Sequence, residues 1–468
     1  MTENKKLEYT DVKTTIVKSN EFPYLFEQIY DSKTGLCRFV AYNPELKDNY
    51  VYKDEIIDSN RKIKYVPLCE ESLWVKGAYL HLPDRPEDYK DFKNLVNEIM
   101  IFTRTYLDIP EDKRLLNAYV VILSWLQDKL QAIPYLRAIG IKGSGKTRFC
   151  DTYGSIAYKS IPVTMPNASN IFRLIDTYGH GTLVINEETT IRKIGKDVDI
   201  NKVDVMTILC SGFEKGHPVP RSQDNNKKIV DPFDPFGLKI LSGYTTTTHL
   251  AFESRCINTQ IMDTDRNDIP IAINPKFERE AQHIRNMLLD FRLKNWNKDF
   301  SEFENQTREY WGKNISGRVA QCVQPISYLT IFDANIKNLL ITIARDKHLE
   351  DVARDSETSE GKIFRAYIEA LLEVNNTTIT IKMIKEKFKD DEFVTPRSIA
   401  SAFTKLNFET ERKKVDNQIN TYIVADKKLI LKRLSTFFFP DEVDNLYSKL
   451  EKLLDYYNVQ RKIITEDE

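Results

Sequence analysis

The stretch Gly140–Thr147, GIKGSGKT, decides how this chain is read. It fits G-x-x-x-x-G-K-T without a mismatch and follows PYLRAIG (134–140), an apolar run of strand character. Glycine has no Cβ, so the backbone there can curl tightly and aim successive N–H groups at an anion. Gly140, Ile141, Lys142, Gly143, Ser144, Gly145, Lys146 and Thr147 form the candidate phosphate cradle. Lys146 is placed to reach the β- and γ-phosphates of a nucleotide, and the Thr147 hydroxyl to ligate the bridging magnesium. A helix expected over KTRFCDTYGSIAYK (146–159) adds its positive end to the same spot. The cofactors implied are ATP and Mg2+. A glycine turn with a chance lysine would explain the residues too, but the full eight-residue pattern with both flanks is far more specific than that.

The chain has 468 residues, 41% hydrophobic and 29% charged, the composition of an ordinary globular protein with room for about three domains. Its longest apolar run, AYVVILSWL, falls short of a membrane span, and MTENKKLEYTDVKTT at the start has no apolar signal core. No membrane partner is expected, and the cytoplasm is the expected compartment. Six scattered cysteines without a C-x-x-C pair argue against a zinc site and against a disulfide framework. The net charge of −1 neither requires nor excludes a nucleic-acid partner, because positive charge can gather on one face.

Short alternating segments up to residue 85 (LCRFVAYN, NYVYKDEI, RKIKYVPL) predict a β-rich N-terminal region. Residues 86–133 turn helical, with LLNAYVVILSW apolar on nearly every side and suited to a buried docking helix. Across 134–275, strand and helix signals alternate, the pattern of an α/β fold with a parallel sheet. Helical pattern continues over 276–355 up to the polar run DSETSEG, a further segment covers 360–439, and 440–468 is a charged helix and tail.

An ATPase needs carboxylates for the metal and for the attacking water. The apolar run Leu183, Val184, Ile185 leads into Asn186, Glu187 and Glu188, where a Walker B strand would place its acidic pair. Asn186 occupies the usual aspartate position and can still help hold a metal-bound water. Glu187 is the candidate base; in the alternative register Glu187 ligates the metal and Glu188 is the base. A strand running into an exposed acidic turn is the bland alternative. Glu187 follows Lys146 by 41 residues, enough for a helix, the strand KSIPVTMPN, the helix ASNIFRLIDTYG stopped by Gly179, and the acidic strand. FGLKILSGYTTT is a further strand whose end, Ser242 to Thr245, is expected beside the γ-phosphate, and in HLAFESRCINTQI Arg255 stands between two apolar runs.

In this order of motifs the chain resembles ring-forming AAA+ helicases, particularly superfamily 3 helicases of viruses and plasmids and their minichromosome-maintenance-like relatives. What matches is the complete phosphate loop, the short step to an acidic strand, a polar-tipped strand, and an SR before a final strand, over roughly residues 135–262. The resemblance implies a P-loop (ASCE/AAA+) core with a helical lid, DNA helicase activity in the replication of a mobile element, and a homo-oligomeric ring, a hexamer. It also implies that Arg255 is an arginine finger acting on the neighbouring subunit, against the plain reading of a salt-bridged arginine at a strand start. Two positions depart from the pattern and bear on turnover: Asn186, and the absence of an asparagine at the tip of ILSGYTTT. An ATP-dependent DNA-bound initiator or loader that does not unwind is the main rival reading, and a protein remodeller the third.

GFEKGHPVPRSQDNNKKIVDPFDPF (212–236) is a long polar insertion inside a compact domain, which is usually functional. In the resembling helicases this interval carries a hairpin that grips single-stranded DNA, which makes Lys215, His217, Arg221, Lys227 and Lys228 candidate phosphate contacts; a solvated loop with ordinary charges explains them as well. Farther on, KIFRAYIEALLE, TTITIKMIKEKF, TPRSIASAFTKLNF and ETERKKVDNQINTYIVADKKLI give helix, strand, helix, helix, hairpin, the order of a winged helix. Thr395 can cap the third helix, with Pro396 at its first position. Thr380 to Arg433 holds 13 lysines and arginines against 8 acids. Arg397, Lys405, Arg412, Lys413 and Lys414 are the candidate contacts to single- or double-stranded DNA.

Overall fold

The structure is a computed structural model that describes residues 9–18, 24–68, 72–164, 167–186, 200–223, 226–245, 249–300, 317–389, 391–415 and 418–466. The chain divides into two compact units, Met1–Tyr310 with Ala320–Leu340, and Trp311–Val319 with Ile341–Glu468.

At the centre of the first unit lies a five-stranded sheet in which every pairing is parallel. Its order is Cys256–Gln260, Tyr135–Ile139 (the loop strand), Lys239–Gly243 (the central strand), Leu183–Ile185 (the acid strand) and Ile161–Val163. The loop, central and acid strands are buried at every residue, so they read as mostly apolar without alternation, with Arg137 and Lys239 as the buried charges among them. Ile161–Val163, between the two motif strands in sequence, is the sheet's outer edge; the central strand is the one lying between them in space. Chain order alone does not fix that order, because each parallel connection crosses over through a helix.

The helix after the phosphate loop, Lys146–Gly154, is shorter than expected and gives way at Ser155. The carbonyl of Ser155 accepts from the buried guanidinium of Arg285 at 2.6 Å, a cation placed at a helix's negative end. Ala168–Tyr178 is capped by Asn167, whose side chain accepts from the Asn170 amide, and stops at Gly179 with φ of 78°.

Residues 10–67 form seven strands in a four-stranded antiparallel sheet and a three-stranded one. Helices Phe92–Tyr106 and Glu111–Ser124 follow, the second burying every residue from Leu116 to Ser124. Each fully buried Leu, Ile or Val there stabilises the packing by roughly 1.5–3 kcal/mol.

A buried charge cluster unites these parts. Arg292, on helix Pro275–Asn295, donates to Glu27 at 2.7 Å and to Asp128 at 2.7 Å, while Lys159 pairs with Glu27 at 2.8 Å. The Tyr158 hydroxyl also donates to Glu27, and its ring lies 4.6 Å from the Arg292 guanidinium. Burial by itself would raise Glu27 and Asp128; the facing cations outweigh it and hold both carboxyls below their usual range. Burial pushes Lys159 down to about 8.

In the second unit, helices Ser359–Val374, Ile381–Glu386 and Pro396–Lys405 pack with strand Ile379–Thr380 and hairpin Thr410–Val415/Gln418–Ile423 around Phe364, Tyr367, Phe403 and Phe408. Thr395 caps Pro396–Lys405 through a capping box with Ser398.

One sequence expectation is corrected: Cys37 is disulfide-bonded. Cross-linking depends on which segments the fold brings within about 6 Å, and so leaves no local spacing signature. Among the described residues Cys150, Cys210, Cys256 and Cys322 are thiols, and no helix is long and apolar enough to cross a membrane.

Both carboxyls of the charge cluster are depressed, so their contribution to stability is present above about pH 4 and lost as pH falls toward their folded values. Glu27→Gln should lower stability by roughly 3–5 kcal/mol at pH 7, because Lys159 and Arg292 stay buried with less compensation. It should also flatten the acid limb of a melting-temperature profile. An unchanged melting temperature at pH 7 contradicts this account.

Candidate nucleotide site

The parallel sheet sends the loop strand into Gly140 and brings the chain back as helix Lys146–Gly154. Gly143 and Gly145 have φ of 90° and 97°, a region where a side chain is strained. Gly140 is constrained differently, since a Cβ there would lie 2.4 Å from the Ile261 carbonyl oxygen and 2.5 Å from Ser144 Oγ. The amides of Lys142, Gly143 and Gly145 have no acceptor among the described residues, and those opening the helix have none within it. A ring of donors of this kind at a helix N-terminus is what a polyphosphate requires.

Lys146 is largely buried, and its ammonium donates to the Ile141 carbonyl at 2.6 Å. It also sits 4.4 Å from the ring centre of Tyr244. Tyr244 directly follows the central strand, and the Gly140 amide donates to the carbonyl of Gly243 at 3.2 Å. The end of ILSGYTTT therefore stands at the phosphate loop, with the aromatic ring of Tyr244 as the group facing Lys146. Ile141 and Lys142 are exposed, as is Thr147 in the first turn of the helix.

Asn186 follows the acid strand, and its Oδ1 is buried without a hydrogen-bond partner among the described residues. An orphaned acceptor at this edge fits a metal-bound water, with the Thr147 hydroxyl as the direct ligand of a magnesium ion. Glu187 and Glu188 lie outside the described residues.

Arg255 comes at the opposite edge of the sheet. Its carbonyl accepts from Tyr135 at the start of the loop strand, and its guanidinium donates to the Ala251 carbonyl and lies 5.6 Å from the Phe213 ring. Its Nε is buried without a partner among the described residues. Arg137, which no motif singled out, makes a fully buried ion pair with Glu253 at 2.6 Å and donates to the Thr245 carbonyl at 2.9 Å. It thereby ties the turn that carries Arg255 to the tip of the central strand.

Between helix Ile200–Ser211 and the central strand, Val219–Gln223 and Asn226–Phe233 form an antiparallel hairpin. Lys215 donates to the Asp128 carbonyl at 2.8 Å, and burial lowers its pKa; Arg221 pairs with Asp176. Exposed His217 lies 3.7 Å from Glu214. Lys227 and Lys228 belong to the second hairpin strand, and their side chains lie outside the described residues.

In the second unit Arg397 is exposed in the first turn of Pro396–Lys405, and Lys405 pairs with Glu360. On strand Thr410–Val415, Lys413 pairs with Glu411 at 2.7 Å, whereas Arg412 and Lys414 share the other face of the strand, exposed and with no ion pair among the described residues. Sequence reasoning passed over two large exposed apolar side chains in this unit, Phe393 ahead of helix Pro396–Lys405 and Ile419 opposite Lys414.

No family model matches the chain, and no curated protein matches it. Among solved structures it is similar to the C-terminal region of NrS-1, with 12% identity, TM-score 0.35, and 82% of this chain and 84% of that chain covered. A mutant of Thermotoga maritima RuvB gives 11% identity and TM-score 0.22 over 71% of this chain and 97% of that one. Drosophila ORC bound to DNA gives 11% and 0.19 over 74% and 93%. Superpositions this loose carry no argument about activity, which rests on the site itself.

Gly140→Ala should lower affinity for a fluorescent ATP analogue at least about tenfold, roughly 1.4 kcal/mol, with the fold retained. Binding at wild-type strength would mean that the close approach to Ile261 does not shape the cradle.

Proposed function

We propose that the chain is an ATP-hydrolysing motor of the AAA+ helicase type that works on DNA as a homo-oligomeric ring, a hexamer. The observation that carries this reading is the loop Gly140–Thr147, set between a buried parallel strand and a helix N-terminus, with Lys146 beside the tip of the neighbouring strand. Lys146 would hold the β- and γ-phosphates, and Thr147 with Asn186 would hold magnesium and its water. Magnesium supplies neutralisation of the charge that develops on the transferred phosphoryl group. Glu187 would take the proton of the attacking water, with Glu188 as the base in the other register. Arg255 would stabilise the transition state in the neighbouring subunit, a role worth ~10³ to 10⁵ in rate in well-studied systems.

The hairpin Val219–Phe233 is the candidate DNA-gripping element, and its position directly ahead of the central strand supports a link between turnover and movement of a strand. In the second unit, the order helix, strand, helix, helix, hairpin supports a winged helix, with Arg397, Arg412 and Lys414 best placed for DNA phosphates. Lys405 and Lys413 must first release Glu360 and Glu411. The uncharged Asn186 favours a second reading, an initiator or loader switch that binds ATP and DNA without unwinding.

Lys146→Ala should abolish ATP turnover, and wild-type protein with ATP should displace a strand from a forked DNA. Turnover and DNA binding without strand displacement would select the switch reading. Mixing Arg255→Ala subunits with Glu187→Gln subunits should restore part of the activity if the two residues act across an interface; a mixture as inactive as each parent removes the trans finger.

Arg412→Glu with Lys414→Glu should weaken duplex binding and reduce the slope of log affinity against log salt by roughly two, about 0.9 for each phosphate no longer neutralised. An unaltered slope takes the hairpin out of the DNA interface.

A further inference from the structure

Lys239 opens the central strand and is 1% exposed, and no carboxylate pairs with it among the described residues. Its ammonium donates instead to three carbonyls: Gly212 at 3.3 Å, Gly237 at 2.8 Å, and Pro235. It also lies 5.3 Å from the Tyr135 ring, at the start of the loop strand. Those carbonyls are not scattered. Gly212 ends the helix that leads into the hairpin insertion, and Pro235 and Gly237 stand where the chain leaves it, so one ammonium gathers both roots of the hairpin. Gly212 is shaped to this task, since a Cβ there would lie 2.4 Å from Nζ and 2.5 Å from the Pro235 oxygen. The Gly237 amide closes the same ring by donating to the Gly212 carbonyl at 3.2 Å.

The far end of that strand is the nucleotide site: Gly243 accepts from Gly140, and Tyr244 covers Lys146. A five-residue strand held in the middle of a parallel sheet is stiff, and it has the phosphate loop at one end and the hairpin roots at the other. A buried ammonium with no direct ion pair among the described residues is expensive, and burial, against the more distant charge of Asp234, lowers its pKa to about 7. A structural glycine or apolar residue would fill the position at less cost, so the amine must supply the three-way link itself.

We propose that Lys239 is a positioning residue that clasps both roots of the hairpin to the central strand, so that occupancy of the phosphate loop is transmitted to the hairpin. The inference rests on the nucleotide-binding reading above. Its test is hydrogen exchange of the full chain with and without a non-hydrolysable ATP analogue and Mg2+, in wild type, Lys239→Met and Gly212→Ala. In wild type the amides of Gly140–Thr147 and those of the hairpin should both change when the analogue binds. In either variant the loop should respond as before while the hairpin response is lost. A hairpin that responds equally in Lys239→Met overturns the clasp. Should both variants fail to fold, wild type decides alone: a responding loop with a silent hairpin overturns the clasp and leaves the nucleotide reading standing, whereas a silent loop overturns both.

Discussion

All five strands of the core sheet run the same way, and everything about the site depends on that constraint. A parallel sheet collects the carboxyl ends of its strands along one edge, where ligands bind in open α/β sheets. Here that edge holds Gly140 after the loop strand, Asn186 after the acid strand, Tyr244 after the central strand, and Ile261 after Cys256–Gln260. Ile261 is part of the cradle mainly through its backbone: its amide donates to the Ile139 carbonyl at 2.7 Å, and its carbonyl excludes any side chain at position 140. The amino ends gather at the opposite edge, with Lys239, Arg255 and the roots of the hairpin.

Lys146 shows what a bound polyphosphate would change locally. Its ammonium closes the loop on itself through Ile141 and is shielded by the Tyr244 ring. Phosphate oxygens offer that cation a full negative charge where the carbonyl offers only a dipole. Nucleotide entry would therefore exchange the Ile141 contact for a phosphate contact and free Tyr244, the residue through which the central strand meets the loop. At the strand tip the tyrosine offers this ammonium a π face, a cation–π contact beside the hydrogen bond to Ile141.

The geometry of the loop Gly140–Thr147 was legible in the sequence because it is local: two positive-φ glycines, a helix start and a preceding buried strand all lie within a dozen residues. The helix stopped at Gly179, the helix capped by Thr395 and the hairpin Thr410–Ile423 were legible for the same reason, whereas the hairpin Val219–Phe233 came only from the family resemblance, its residues reading as a long polar insertion. Sheet order was not, because parallel neighbours are joined by crossovers and need not follow the chain. Nor were Arg137, Lys159, Lys239 and Arg292, since in a sequence they look like any surface cation. What distinguishes them is a partner more than a hundred residues away, as with Arg137 and Glu253 or Arg292 and Glu27, or a set of backbone carbonyls brought together by folding. Lys215 and Arg221 show the converse: they looked free for phosphate, and the fold gives them Asp128 and Asp176.

The position of Arg255 follows from the same parallel register and limits what it can do. Its carbonyl is bonded to Tyr135, the first residue of the loop strand, whereas the phosphate loop begins after Ile139, the last. At about 3.3 Å per residue the two ends of that strand are separated by roughly 13 Å, more than an arginine side chain can span. The sheet itself, buried on both faces, lies between. The Arg255 side chain therefore does not reach Gly140–Thr147 of its own chain, which leaves the proposed role in a neighbouring subunit as the one this position allows. The buried Arg137–Glu253 pair gives such a role its sense: one arm of Arg137 holds the strand tip through Thr245, and the other holds Glu253, two residues before Arg255. A shift of the strand tip would be felt, through a pair of charges that no solvent screens, at the turn that carries Arg255.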